Sequence, residues 1–188
     1  MPEGAWLTSI DLKDAYWHVP IAESFQKYLA FSLPMENGQN SYVFRAMPFG
    51  LNIAPRIFTK LCAVLVRMLK ERGVEVFAYL DDWLVVTESE SESRVATDKV
   101  TKLLKRVGFI INEQKSKLIP TQSIEWLGWN WRTTDLTISC PELKLANLRE
   151  RVAAFTAQTA MSRTQIESLV GLLNWVTTID PIGRIRLN

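Results

Sequence analysis

The chain has 188 residues, 47% hydrophobic and 22% charged, with two cysteines, one histidine and seven tryptophans. That apolar share supports a packed core and argues against disorder; Cys62 and Cys140 are too few for a disulfide scaffold or cysteine-rich zinc site, and the single His18 excludes a histidine-rich metal centre. Net charge is +2, but residues 1–93 hold 8 basic and 12 acidic side chains and residues 94–188 hold 14 and 8, an asymmetry that uneven solvated surfaces suffice to explain.

With so little histidine and cysteine, carboxylates and bound metal are the tools left for chemistry. The start, MPEGAW, has no basic n-region, and no apolar run approaches the ~20 residues of a membrane span. The expectation is an intracellular chain with no membrane partner.

Residues 5–10 (AWLTSI) are apolar and β-prone and predict a strand leading into Asp11. Residues 27–33 and 41–46 are β-rich and flank Glu36-Asn37-Gly38-Gln39, a strong hairpin signal. Residues 53–72 predict a helix, with Ala54, Ile57, Phe58, Leu61, Cys62, Leu65 and Leu69 on one face and Gly73 just beyond its end. Residues 74–80 and 83–86 predict two strands around Asp81-Asp82, apolar on both faces and therefore a central, covered pair. Ser89 with Glu92 predicts a capping box opening a helix to about Val107, with Val95, Val100, Leu103, Leu104 and Val107 apolar. Strands are then expected at 109–112 and 123–131. Pro141 suits the first position of a helix, and Ser162 with Gln165 caps another bearing Ile166, Leu169, Val170, Leu173 and Val176. The chain then stops soon after Pro181-Ile182-Gly183, as if cut.

Leaving aside the hairpin at 27–46, the order to residue 112 is β-α-β-β-α-β, a split ferredoxin-like arrangement. Right-handed crossover makes the first two strands parallel, with the third between them and antiparallel. Asp11 ends the first strand and Asp81-Asp82 join the second to the third, so the topology brings all three to one edge of the sheet. Carboxylates so placed repel one another, and divalent cations relieve the repulsion. An oxygen-only donor set selects Mg²⁺ or Mn²⁺, and two such ions about 3.5–4 Å apart serve in-line phosphoryl transfer. A lone Asp-Asp is ordinarily just a turn. The three acids on one edge, walled by Tyr79, Leu80 and Trp83, put metal-dependent phosphoryl transfer slightly ahead of that plain reading.

The residues also match a family. Ser9-Ile10-Asp11-Leu12-Lys13-Asp14-Ala15-Tyr16 resembles motif A of reverse transcriptases, and Met47 to Phe58 resembles motif B. Tyr79-Leu80-Asp81-Asp82 is similar to the Tyr-x-Asp-Asp box of motif C, Gly108-Phe109 with Asn112 and Lys115 to motif D, and Glu125-Trp126-Leu127-Gly128-Trp129 to motif E, the primer grip. The five occur in order over nearly the whole chain. The wording around Tyr79–Leu84 and Pro48–Lys60 most resembles retrotransposons of the DIRS type, which carry a tyrosine recombinase.

The resemblance implies an α+β right-hand polymerase: palm at 1–18 and 46–136, partial fingers at 19–45 and a partial helical thumb from 137 to 188. It implies an RNA-directed DNA polymerase that uses two Mg²⁺ or Mn²⁺ ions, a primed RNA or DNA template and deoxynucleoside triphosphates. Asp11, Asp81 and Asp82 are the implied metal ligands, and Lys115 is placed to neutralise or protonate the leaving pyrophosphate. Leu12, Ala15, Tyr16, Phe49 and Gly50 line the implied nucleotide pocket, with Tyr16 the steric gate against a ribose 2′-hydroxyl. Trp126, Leu127 and Gly128 form the implied primer grip. Asp14 reads as a local turn or cap, Lys99, Lys102 and Lys105 as a solvated helix face, and His18 as structural or exposed.

Met47 stands where leucine is usual, and the family's basic fingers residues lie upstream of motif A, where this chain has only ten residues. With no RNase H-like region after the thumb, the expectation is a fragment of a longer polyprotein flanked by fingers and RNase H regions. The competing reading is a non-catalytic or domesticated nucleic-acid-binding module. An RRM shares the strand order, but the third strand lacks its basic-Gly-aromatic signature; a nucleotidyl cyclase leaves the primer-grip and thumb segments unaccounted for.

Overall fold

A computed structural model describes residues 1–35, 38–156 and 162–178. The chain divides into two compact units, Met1–Gln122 and Ser123–Asn188.

The first unit is built on a four-stranded sheet. Its strands are β1 (Trp6–Asp11), β4 (Glu75–Tyr79), β5 (Asp82–Thr87) and β6 (Lys117–Thr121), in the order β4-β5-β1-β6. Every neighbouring pair is antiparallel. β1 and β4 therefore run parallel with β5 between them, as the crossover argument requires. Between β1 and β4 the chain passes through a short α1 (Glu23–Gln26), a separate hairpin of β2 (Ala30–Met35) and β3 (Gly38–Val43), and α2 (Ala54–Lys70). Helix α3 (Glu90–Arg106) connects β5 to β6.

The alternation along β1 assigns the faces. Thr8, Ile10 and Leu12 point to the helical layer: Ile10 and Leu12 join Trp83, Val85, Phe58, Leu69, Val100 and Leu104 in one core, and the Thr8 hydroxyl meets that of Thr97 on α3 at 2.6 Å. Leu7, Ser9 and Asp11 alternate onto the opposite face. Helix α2 forms because an apolar stripe of Ala54, Phe58, Cys62, Leu65 and Leu69 buries against the sheet while Arg56, Lys60, Arg67 and Lys70 stay in water. Gly73 ends it with φ 72, a left-handed value that favours glycine.

Several expectations need correction. β5 is buried along its length, but β4 lies at the sheet edge and exposes Phe77 and Tyr79, so the pair is not covered on both sides. The fourth strand is Lys117–Thr121 rather than 109–112: Phe109 and Ile111 are apolar because they fill the core, and Ile111 makes only an isolated bridge to Leu12. On α3, Val95 and Val107 are exposed, and Ser93, Ala96 and Thr97 take the buried positions with Val100, Leu103 and Leu104. Ser89 accepts from the Glu92 amide, one half of the expected capping box. Lys27–Leu29 is a 3-10 turn, so the hairpin strands start and end nearer their connection. Met35 pairs with Gly38; Glu36 and Asn37, on which the turn was predicted, lie outside the described residues.

The second unit holds a meander of β7 (Ser123–Trp126), β8 (Trp129–Arg132) and β9 (Thr137–Ser139), then α4 (Glu142–Thr156) and α5 (Arg163–Val176). The single strand expected at 123–131 is thus a hairpin. Leu127 (φ 50) and Gly128 (φ 83) both take left-handed backbone, the signature of a tight two-residue turn. Pro141 precedes the first helical residue of α4 rather than occupying it, and Ser162 with Gln165 completes a reciprocal capping box on α5. The residues around Pro181 lie outside the described ones.

Candidate active site

Strand register sets the acids side by side. Asp11, last in β1, is the direct cross-strand partner of Asp82, first in β5. Tyr79 pairs with Asp82, which leaves Leu80 and Asp81 as the two-residue turn between β4 and β5. The Leu12 amide donates to the Asp81 carbonyl at 3.0 Å, tying that turn to the end of β1. Because Asp11 alternates with the core residue Ile10, Asp11 and Asp82 stand on the sheet face away from the helices.

The turn is held under strain. Leu80 has φ 53, a left-handed value that costs a β-carbon-bearing residue about 1–2 kcal/mol. Its side chain packs on the core, which offsets that cost. Of the apolar walls expected around the acids, Trp83 is fully buried and Leu80 packed, whereas Tyr79 is 60% exposed.

The electrostatics show mutual proximity. Burial pushes the Asp82 carboxyl above its usual range, the charges of Asp81 and Asp11 push it further, and the Lys115 ammonium pulls it back. Tyr16 sits in a 3-10 turn (Ala15–His18), where burial raises its phenol first and then the charges of Asp81 and Tyr79. Tyr16 also packs on Phe49 (centroids 5.2 Å) and edge-on to Phe58 (5.5 Å). Phe49 is 62% exposed, and Gly50 beside it has φ 86 with open space where a β-carbon would lie. Leu12 and Ala15 are buried in the core, so only their backbone is available to a ligand.

The loop carrying Lys115 is stitched to β1. The Asn112 amide donates to the Asp11 carbonyl (2.9 Å), and the Asp11 amide donates to Ser116 Oγ (3.0 Å). That hydroxyl donates to the Asn112 carbonyl at 2.7 Å. Nothing in the sequence marks Ser116 apart from its place after Lys115.

Asp11, Asp81, Asp82, Tyr16, Phe49 and Lys115 therefore belong to one neighbourhood. Among the described residues, however, no three His, Cys, Asp or Glu side chains are grouped to hold a metal ion. The donor chemistry still fits a hard cation: the charges of Asp81 and Asp11 disfavour that of Asp82, and the ligand atoms are all oxygen. Asp14 takes left-handed backbone (φ 52) and opens the 3-10 turn, as a turn residue should. Lys102 pairs with Asp98 and Lys105 with Glu113 on the solvated face of α3. His18 packs edge-on to Phe109, with its Nδ1 buried and unpartnered.

In the second unit, Trp126 ends β7, and Leu127 and Gly128 make the hairpin turn. Lys144 of α4, absent from the sequence reading, buttresses that turn. Its Nζ reaches Gly128 O and Glu125 Oε1, both at 3.1 Å, and lies 5.2 Å from the Trp175 ring centroid. Trp175 stacks on Trp129 at 4.3 Å. A lysine on a half-polar helix carries no sequence signal for this contact.

A ferredoxin-like sheet with three acids at one edge, helices behind and a separate fingers-like hairpin is a polymerase palm in an α+β fold. The family model described as "Reverse transcriptase (RNA-dependent DNA polymerase)" matches residues 1–131, and the chain belongs to that family. The chain is 26% identical, over its whole length, to 13% of the Gag-Pro-Pol polyprotein of Human T-cell leukemia virus 3 (strain 2026ND). For the polyprotein of strain Pyl43 the identity is 27%, over 97% of this chain and 12% of that protein. The chain thus spans about an eighth of the curated relatives it matches. Among solved structures it resembles a foamy viral protease-reverse transcriptase in complex with RNA/DNA hybrid (TM-score 0.73, 25% identity, 90% of this chain and 21% of that one). It also resembles that protein in complex with double-stranded DNA (TM-score 0.74, 23% identity, 93% of this chain and 28% of that one). No helix among the described residues is long and apolar enough to cross a membrane.

Proposed function

We propose that this chain is the core of an RNA-directed DNA polymerase that adds deoxynucleotides to a primer 3′-hydroxyl on an RNA or DNA template. The observation that carries the reading is the register pairing Asp11 with Asp82, beside a turn that presents Asp81. Asp11, Asp81 and Asp82 would hold two Mg²⁺ or Mn²⁺ ions, which when bound supply Lewis-acid stabilisation to the attacking and leaving oxygens. Tyr16, braced by Phe49 and Phe58, closes the space a 2′-hydroxyl needs. Lys115 supplies positive charge, and a proton, where the pyrophosphate departs. Trp126, Leu127 and Gly128 grip the primer end. The palm comprises 1–18 and 46–136, the fingers 19–45 and the thumb the residues from 137.

We place the parent protein among retrotransposon polyproteins, with DIRS-type elements preferred on the wording of motifs B and C; a tyrosine recombinase encoded beside this segment would support that placement and a retroviral integrase would overturn it. One observation favours a second reading, a non-catalytic nucleic-acid-binding module: among the described residues no three acidic side chains are grouped to hold a metal ion. Primer extension with Mg²⁺ decides between them. Extension by the wild type that is lost in Asp81→Asn supports catalysis; an active Asp81→Asn overturns the assignment of the acids, and binding without extension by the wild type supports the second reading.

A further inference from the structure

A regular antiparallel ladder would continue past Ser9–Lys117 by giving the Asp11 amide a backbone carbonyl from the neighbouring strand. It does not. The chain leaves the sheet between Asn112 and Lys117, and a side-chain hydroxyl takes the carbonyl's place. Ser116 Oγ accepts from the Asp11 amide at 3.0 Å and donates to the Asn112 carbonyl at 2.7 Å. The Ser116 amide donates to the same carbonyl at 2.9 Å, and the Asn112 amide donates to the Asp11 carbonyl at 2.9 Å. Both backbone polar groups of Asp11 are thus held by the two ends of one short loop. Lys115, inside that loop, immediately precedes the hydroxyl. Ser116 is half-buried, so the link is shielded from competing water.

We propose that Ser116 is a positioning residue that clips the Lys115 loop onto the backbone of Asp11, so that the ammonium and the carboxylates keep one fixed spacing. The inference rests on the polymerase reading above and deepens it. The Ser116 hydroxyl is engaged by the Asp11 amide and the Asn112 carbonyl, so its role runs through Asp11 and Lys115. Without the hydroxyl the Asp11 amide loses its acceptor and the loop keeps only its backbone bonds. Lys115 then samples positions away from the acids, and the chemical step suffers more than nucleotide binding.

The test compares Ser116→Ala, Ser116→Thr, Lys115→Ala and the Lys115→Ala/Ser116→Ala double variant. Single-nucleotide incorporation, Mn²⁺-induced thermal shift and amide hydrogen exchange over residues 10–13 are measured on each. Ser116→Ala is expected to lower kcat about three- to tenfold, the range one lost hydrogen bond gives, with KM for the nucleotide unchanged. It should also speed exchange of the Asp11 amide and shrink the Mn²⁺ shift. Ser116→Thr should restore all three. In the double variant the Ser116 loss should vanish into that of Lys115→Ala, because one residue works through the other. Full additivity in the double variant, or a Ser116→Ala protein equal to an active wild type, overturns this inference and leaves the polymerase reading intact. A wild type that neither extends a primer nor shifts with Mn²⁺ overturns both. Should Ser116→Thr fold poorly, the cycle with Lys115 decides alone.

Discussion

The Leu12 amide and the Asp81 carbonyl are 3.0 Å apart, a backbone hydrogen bond that fastens the turn of the second acid to the strand of the first. With the Asp11–Asp82 strand pair, it fixes the relation of the three acids through main chain rather than through side chains. The carboxylates can therefore be altered without dismantling their frame. Asp81→Asn should keep its thermal stability within about 0.5 kcal/mol of wild type, as expected for an exposed substitution, while losing Mg²⁺-dependent primer extension. Parallel melting curves and extension assays check both halves.

Asp82 carries a charge that the fold disfavours. Burial and the neighbouring acids raise its folded pKa above the unfolded value, so the native state binds the proton more tightly. That contribution favours folding below the unfolded carboxylate pKa and is lost as pH rises through the folded one. At neutral pH the ionised group is thus destabilising without a cation. Asp82→Asn should raise the metal-free melting temperature at pH 7 by about 1–2 °C, a small gain because solvent screens the half-exposed group. The gain should disappear near pH 4. Mn²⁺ should stabilise the wild type more than the variant.

Tyr16 is braced by Phe49 and Phe58 and held near Asp81. Tyr16→Val removes the ring while leaving the 3-10 turn its backbone. Ribonucleotide incorporation relative to deoxynucleotide should rise about five- to thirtyfold, since removal of one steric clash is worth about 1–2 kcal/mol. Unchanged sugar selectivity in competition assays would exclude the gate.

The two cysteines should differ in reactivity. Cys62 is 3% exposed on the buried face of α2, and burial pushes its thiol up to about 12. Cys140 is more accessible, although burial raises its thiol too and Lys144 lowers it. The thiolate is the reacting species. A thiol-disulfide reagent at pH 8 should modify Cys140 slowly and Cys62 only after denaturation, read as one equivalent and then two.

Gly128 has no room to change. At φ 83, an added β-carbon would lie 3.0 Å from Lys144 Nζ and 3.2 Å from Trp175 Cζ2. Gly128→Ala combines backbone strain with overpacking and should destabilise the second unit by about 1–3 kcal/mol. Loss of the near-ultraviolet dichroism of the stacked Trp129–Trp175 pair follows the melting of that unit.

The sheet order was legible because β-α-β-β-α-β periodicity and crossover handedness leave few alternatives. The same logic brought Asp11 beside Asp82. It misplaced β6 because Phe109 and Ile111 carry the apolar alternation while serving the core, whereas Lys117–Thr121 is largely exposed and shows no such pattern. The hairpin at Leu127-Gly128 was hidden by a leucine in backbone that leucine rarely adopts. The links made by Ser116 and Lys144 were invisible for another reason. Each depends on which loop or helix lies across from a single polar side chain, and local pattern does not encode that.

The pairing of Tyr79 with Asp82 leaves room for two residues and no more. Side chains along a strand alternate with a period of two, so inserting one residue before Asp82 without lengthening the loop would turn its carboxylate into the helical core and move Trp83 onto the opposite face, into the buried place of Leu84. The turn therefore works as a length gauge. Changes of side-chain size around the acids can be absorbed by repacking, but a single-codon insertion or deletion between Tyr79 and Asp82 that leaves the loop at two residues cannot, because it exchanges the two differently packed faces of the whole central strand.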